Sequence, residues 1–181
     1  SLRRQRQMCI RDSPHTVSEA TILANQSERF PQTYDKEFLK SSKTIRHCLE
    51  IRHHSFENPD FISLLRKYNI ALVFADTAGK WPYMEDLTSD FIYIRLHGDE
   101  EIYSSGYDSA TLRGWADRIK IWASQRQPRN ALTISTDPWP ITTRHIYVYF
   151  DNDLKVKAPH DAQILMSYLS KKIPLTQDAH Q

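Results

Sequence analysis

Charged and hydrogen-bonding side chains collect at the ends of four short apolar runs. The first run, TIRHCLEIR from Thr44 to Arg52, ends in Glu50 and Arg52, and His53 and His54 follow it. Asp76 follows the second run, IALVFA from Ile70 to Ala75. The third, FIYIRLH from Phe91 to His97, ends in Arg95 and His97. Asp151, Asn152 and Asp153 follow the fourth, RHIYVYF from Arg144 to Phe150. Arginine presents a planar fork of donors that grips phosphate or carboxylate in bidentate fashion. Arg52 and Arg95, with Asn152, are therefore candidate anion ligands. Histidine exchanges a proton near neutral pH, which makes His53 and His97 candidate acid–base groups. Glu50 and Asp76 have the chemistry of an acid, a base or a metal ligand. Tyr93, Tyr107, Tyr149, Asp151 and Asp153 complete the expected pocket.

The kinds of side chain present would also suit a divalent cation. Their spacing does not, because no His-x-His or His-Glu-x-x-His pattern occurs and neighbouring arginines would repel a cation. No metal is assigned, and the residues specify no cofactor.

These groups need elements to position them. In the first run Ile45, His47, Leu49 and Ile51 alternate with Arg46, Cys48, Glu50 and Arg52, the period of a strand. Glu50 and Arg52 then share one face, as do Arg95 and His97, with Tyr93, Tyr147 and Tyr149 lining the same side. IALVFA is continuously apolar, as parallel strands covered on both sides are. Helices are expected between the strands. Thr16 with Glu19 forms a capping-box pattern ahead of a rough apolar stripe at Val17, Ala20, Ile22 and Leu23. Asn58-Pro59 opens a helix buried through Phe61, Ile62, Leu64, Leu65 and Tyr68, ended by Asn69. Ser109 to Gln125 carries Leu112, Trp115, Ile119 and Trp122 at helical spacing, and Ala158-Pro159 begins a last helix through Leu169. The connection from Asp76 to Asp90 has no long helical pattern. Strands alternating with helices predict a parallel α/β fold.

Composition narrows the function classes. The 181 residues are 40% hydrophobic and 25% charged, which is the balance of a folded domain with its own core. Lys and Arg outnumber Asp and Glu only 24 to 22, so no strong overall field draws in nucleic acid or an anionic membrane. With two cysteines, Cys9 and Cys48, neither a disulfide framework nor a cysteine zinc site is expected. Cys48, in an apolar-rich run, reads as a small buried residue. No apolar stretch approaches the roughly 20 residues that span a bilayer, and the expected location is the cytoplasm. The basic leader 1–12 lacks periodicity and reads as non-native or disordered. A helix and polar loop occupy 13–43, the main domain 44–170, and a tail 171–181.

Four blocks carry a resemblance: RHCLEIRHHSF (Arg46 to Phe56), LLRKYNIALVFADTAGKWPY (Leu64 to Tyr83), LTSDFIYIRLHGDEEIYSSGY (Leu87 to Tyr107) and HIYVYFDNDLKVKAPHDA (His145 to Ala162). In order and wording they resemble the YecE-like family, domain of unknown function 72. Phe56 stands where many relatives carry Trp, an aromatic exchange. The resemblance implies a TIM-type (β/α) barrel, here a truncated half barrel of about four parallel strands lacking the N-terminal half. It implies no settled activity. In such barrels functional groups lie at the C-terminal strand ends, where the ionisable residues above are expected.

Three readings follow. The first is binding or processing of a phosphorylated or other anionic small molecule by Arg52 and Arg95, with a His or carboxylate moving the proton. The second is a nucleic-acid-binding or DNA-processing barrel, in which aromatics stack bases. The third is a fragment without function alone, its partner being the missing N-terminal half. Set against all three, the same cluster could be an internal salt-bridge network that only satisfies its own charges.

Overall fold

A computed structural model of the chain describes residues 9–27, 42–98, 106–137, 139, 144–152 and 156–170. The element order is α1 (Val17–Ala24), β1 (Cys48–Leu49), a 3-10 turn (His54–Phe56), α2 (Pro59–Lys67), β2 (Ala71–Asp76), β3 (Phe91–Leu96), α3 (Ser109–Ala123), β4 (His145–Phe150) and α4 (Lys157–Ser170). The strands form one parallel sheet in the order β1-β2-β3-β4. Val73 pairs with Tyr93, and Arg95 with Tyr149, which fixes the register on which the site depends.

Local chemistry explains the helix starts. The Thr16 hydroxyl accepts from Glu19 N–H at 3.1 Å while the Glu19 carboxylate accepts from Thr16 N–H at 3.1 Å, closing the capping box. Asn58 Oδ1 accepts from Asp60 N–H at 2.8 Å ahead of Pro59, and Asp108 Oδ1 accepts from Thr111 N–H at 2.6 Å. Asn69, with φ 51°, turns the chain out of α2 in the left-handed conformation that asparagine tolerates.

The sheet has two unlike faces. Leu72 packs with Phe61, Ile62 and Leu65 of α2. Phe74, Ile92, Ile94 and Leu96 pack with Leu112, Trp115, Ile119 and Trp122 of α3 and Leu165 of α4. Each such side chain contributes about 1.5–3 kcal/mol on burial. Alternate residues face the other way: Ala71, Val73 and Ala75 on β2, Phe91, Tyr93 and Arg95 on β3, His145, Tyr147 and Tyr149 on β4. No described helix covers this second face.

The connection from β2 to β3 is held without a helix. Glu85, fully buried, takes Arg118 Nη1 on both carboxylate oxygens at 2.7 and 3.0 Å, the Tyr83 hydroxyl at 2.7 Å and Leu132 N–H at 2.9 Å. Asp86, 1% exposed, accepts from Ile134 and Ser135 N–H. Two buried carboxylates thus accept from the N–H groups of Leu132, Ile134 and Ser135, which lie outside the described strands and helices.

Two expectations need correction. The first strand is two residues long, not the whole of Thr44 to Arg52, because it is an edge that meets β2 only at Ala71 and Leu72. Thr44 instead bridges antiparallel to Thr16. Cys48 is exposed rather than buried, since the alternation that carries Glu50 puts it on the uncovered face. Among the described residues the four parallel strands form an open sheet. Of the leader, residues 9–12 are helical, and Ile10 is buried beside Ile51 and Phe56. Among the described residues no helix is long and apolar enough to cross a membrane.

Candidate functional site

Glu50 is the centre of the polar cluster, with 10% of its side chain exposed. Its Oε1 accepts from Arg52 Nε at 2.9 Å. Its Oε2 accepts from Arg95 Nη1 at 2.9 Å and lies 3.1 Å from His97 Nε2. Arg95 also donates through Nη2 to Asp151 Oδ2, and His97 Nδ1 lies 3.1 Å from the same oxygen. Arg95 and His97, two apart on and just after β3, therefore bridge a carboxylate from the β1 end to one from the β4 end. Asp151 is seated by its N–H donating to Leu96 O at 2.8 Å.

Burial alone would raise the Glu50 carboxyl pKa. The hydrogen bonds from His97 and Arg52 and the adjacent Arg95 guanidinium outweigh burial and hold it at about 2. Solvent reaches Cys48 from the cavity, yet the atoms packed around its thiol desolvate it and raise its pKa; Arg95 pulls it down less than this desolvation lifts it, and Glu50 adds to the rise.

The cluster borders a concavity of about 390 Å³ lined by Cys48, Glu50, Val73, Tyr93, Arg95, Tyr149 and Asp151, among others. On β2 the small Val73 lines it, between larger side chains from the β1 end and from β3. Tyr93 and Tyr149 stack at 5.0 Å with planes 16° apart. At the rim, Arg52 packs its guanidinium over the Trp81 ring at 4.1 Å, and Trp81 meets buried His97 edge-on at 5.5 Å. Among the described residues no group of three or more His, Cys, Asp or Glu could hold a metal ion.

The structure thus brings together Glu50, Arg52, Arg95, His97 and Asp151, with Tyr93 and Tyr149 beside them. It places other candidates elsewhere. Asp76 lies on the helix side of β2, where its carboxylate accepts from Trp115 Nε1 at 3.3 Å. His53 caps the 3-10 turn, accepting from Ser55 N–H at 3.1 Å. Asn152, fully buried, donates to Asp161 Oδ2 at 2.9 Å and so ties the β4 end to α4. Tyr107 does similar work: its N–H donates to Asp161 at 3.1 Å and its hydroxyl accepts from Gly98 N–H at 3.0 Å. Gly98 turns the chain away from β3 at φ 131°, which favours glycine. Asp153 lies outside the described residues, as do 103–105 of the YSSGY loop. Sequence reasoning missed Cys48 and Trp81 as parts of the site. The alternation of the first strand signals Cys48; Trp81 lies in a loop at the strand ends, which signals it.

The chain matches the family model described as "Protein of unknown function DUF72" over residues 20–181. The chain belongs to this family. Two solved DUF72 proteins share its fold. One, from Thermotoga maritima MSB8, is 19% identical with a TM-score of 0.58; the match covers 90% of this chain and 69% of that one. The other, from Enterococcus faecalis V583, is 14% identical with a TM-score of 0.53, covering 87% of this chain and 54% of that one. No curated protein matches the chain. The likeness to the solved DUF72 proteins is one of fold, so the chemistry has to be argued from the site.

Proposed function

We propose that this DUF72 protein binds a small anionic molecule at the C-terminal ends of its strands, with Arg52 as the anion ligand and His97 as the group that moves a proton. The observation that carries the reading is the row Glu50–Arg95–Asp151 on the wall of a cavity, with His97 buried behind it and 3.1 Å from both carboxylates. Arg95 is committed between two carboxylates. Arg52 is not: its side chain is 51% exposed, and its described hydrogen bond uses Nε alone. Trp81 beneath it holds the guanidinium flat, so fewer conformations are lost when it meets an anion. His97 touches both carboxylates and sits where a proton can pass to either.

We infer also that the sheet is part of a (β/α) barrel, its uncovered face being the lumen. Support comes from the sequential parallel order and from helices packed on one face only. The closing strands would come from outside the described residues. A solved structure of the protein with β1 and β4 unpaired on their outer edges would refute this.

The test is a thermal-shift screen with inorganic phosphate, phosphate monoesters and small carboxylates on wild type, Arg52→Ala and Arg95→Ala. A bound ligand at a hundred times its Kd stabilises by about 3 kcal/mol. The expected result is a ligand that raises the Tm of the wild type and of neither variant. No shift with any ligand, and variants that melt lower, would mean that the network only neutralises its own charges.

A further inference from the structure

We propose that the organic part of the ligand is a polyhydroxylated ring, so that the whole is a sugar carrying an anionic substituent. This rests on the anion reading above and narrows it.

The order of charges on the cavity wall favours hydroxyls there. Glu50, Arg95 and Asp151 run across the cavity wall as carboxylate, guanidinium, carboxylate. A phosphate pushed against this row would meet two carboxylates for one arginine. A hydroxyl meets no such penalty, because it donates to a carboxylate and accepts from a guanidinium at once. The carboxylates keep capacity for this. The described side-chain contacts of Asp151 all fall on Oδ2, leaving Oδ1 for a donor, and Oε1 of Glu50 takes one described contact. The anion then belongs at the rim, with Arg52, and the hydroxyls belong at the row.

The tyrosine wall suits the face of a ring. Tyr149 is 51% exposed although it stacks on Tyr93, so one ring face is covered by Tyr93 and apolar surface of the ring remains open. The C–H face of a sugar ring packs on such a surface while its hydroxyls point to the edges. Lined on β2 by the small Val73, the cavity of about 390 Å³ suits a single ring with its substituent.

The test uses the full chain, in a Cys9→Ser background, with ribose 5-phosphate, glucose 6-phosphate and n-butyl phosphate as probes. Calorimetry reads affinity, and alkylation of Cys48, on the cavity wall, reads occupancy. The proposal expects at least one sugar phosphate to bind ten-fold or more tightly than n-butyl phosphate and to slow Cys48 alkylation. Tyr149→Ala, at an exposed position, should remove that preference. Equal binding of all three probes would overturn the polyol reading and leave the anion reading standing. Failure of all three to bind would overturn both.

Discussion

Acid should release the Glu50 network in a defined window. Glu50 is held at about 2 against an ordinary value of 4.5, so ionisation of this carboxylate favours the folded state by about 3 kcal/mol at neutral pH. Because folding lowers this pKa, the contribution is complete above about pH 4.5 and is lost as the pH falls to 2. About 1 kcal/mol should remain at pH 3 and almost none at pH 2. Other carboxylates titrate in the same range, so wild type has to be compared with Glu50→Gln, in which only this one is silent. Urea unfolding at pH 7, 5, 4, 3 and 2.5 gives the stability difference at each point. The gap between the two proteins should shrink by about 2–3 kcal/mol from pH 7 to pH 2.5. A gap that does not change with pH would refute the network as the source of the shift.

Further outcomes follow from other contacts. Glu85→Ala leaves Arg118 partly buried without its carboxylate and should cost about 3–5 kcal/mol, read by urea unfolding. Trp122→Ala, at a residue 1% exposed, should cost about 3–5 kcal/mol by the same assay. Asn58→Ala removes the α2 cap and should cost about 1 kcal/mol. Cys48 should alkylate slowly at neutral pH and speed up only at higher pH than an ordinary thiol. Glu50→Gln should speed it and Arg95→Gln slow it, following the opposite signs of the two charges.

The helices and the alternation of the strands were legible because their signals are local. A capping box, an Asn-Pro start and an aromatic stripe act within one or two turns, so Thr16, Asn58 and Trp115 announce their elements. Strand parity likewise placed Glu50, Arg95 and His97 on one face. What was illegible is the choice of distant partners. Asn152 and Tyr107 look like pocket residues by position, yet Asp161, on a helix packed behind them, draws both into the interior. Asp76 has the parity of Leu72 and Phe74, and that alone puts it on the helix side; position at a strand end was the weaker guide. The length of β1 could not be read either, since pairing on an edge depends on a neighbour and not on the run itself.

The shortness of β1 has a consequence for how the site would respond to occupancy. Glu50 follows a strand that pairs through only two residues, so its place is set as much by Arg95 and His97 as by its own backbone. Fraying of this edge and loss of the site are then the same event. A molecule that engages Glu50 would slow amide exchange at Leu49, whose N–H faces β2, without touching that backbone, and the exchange rate of this one edge amide becomes a gauge of whether the pocket is filled.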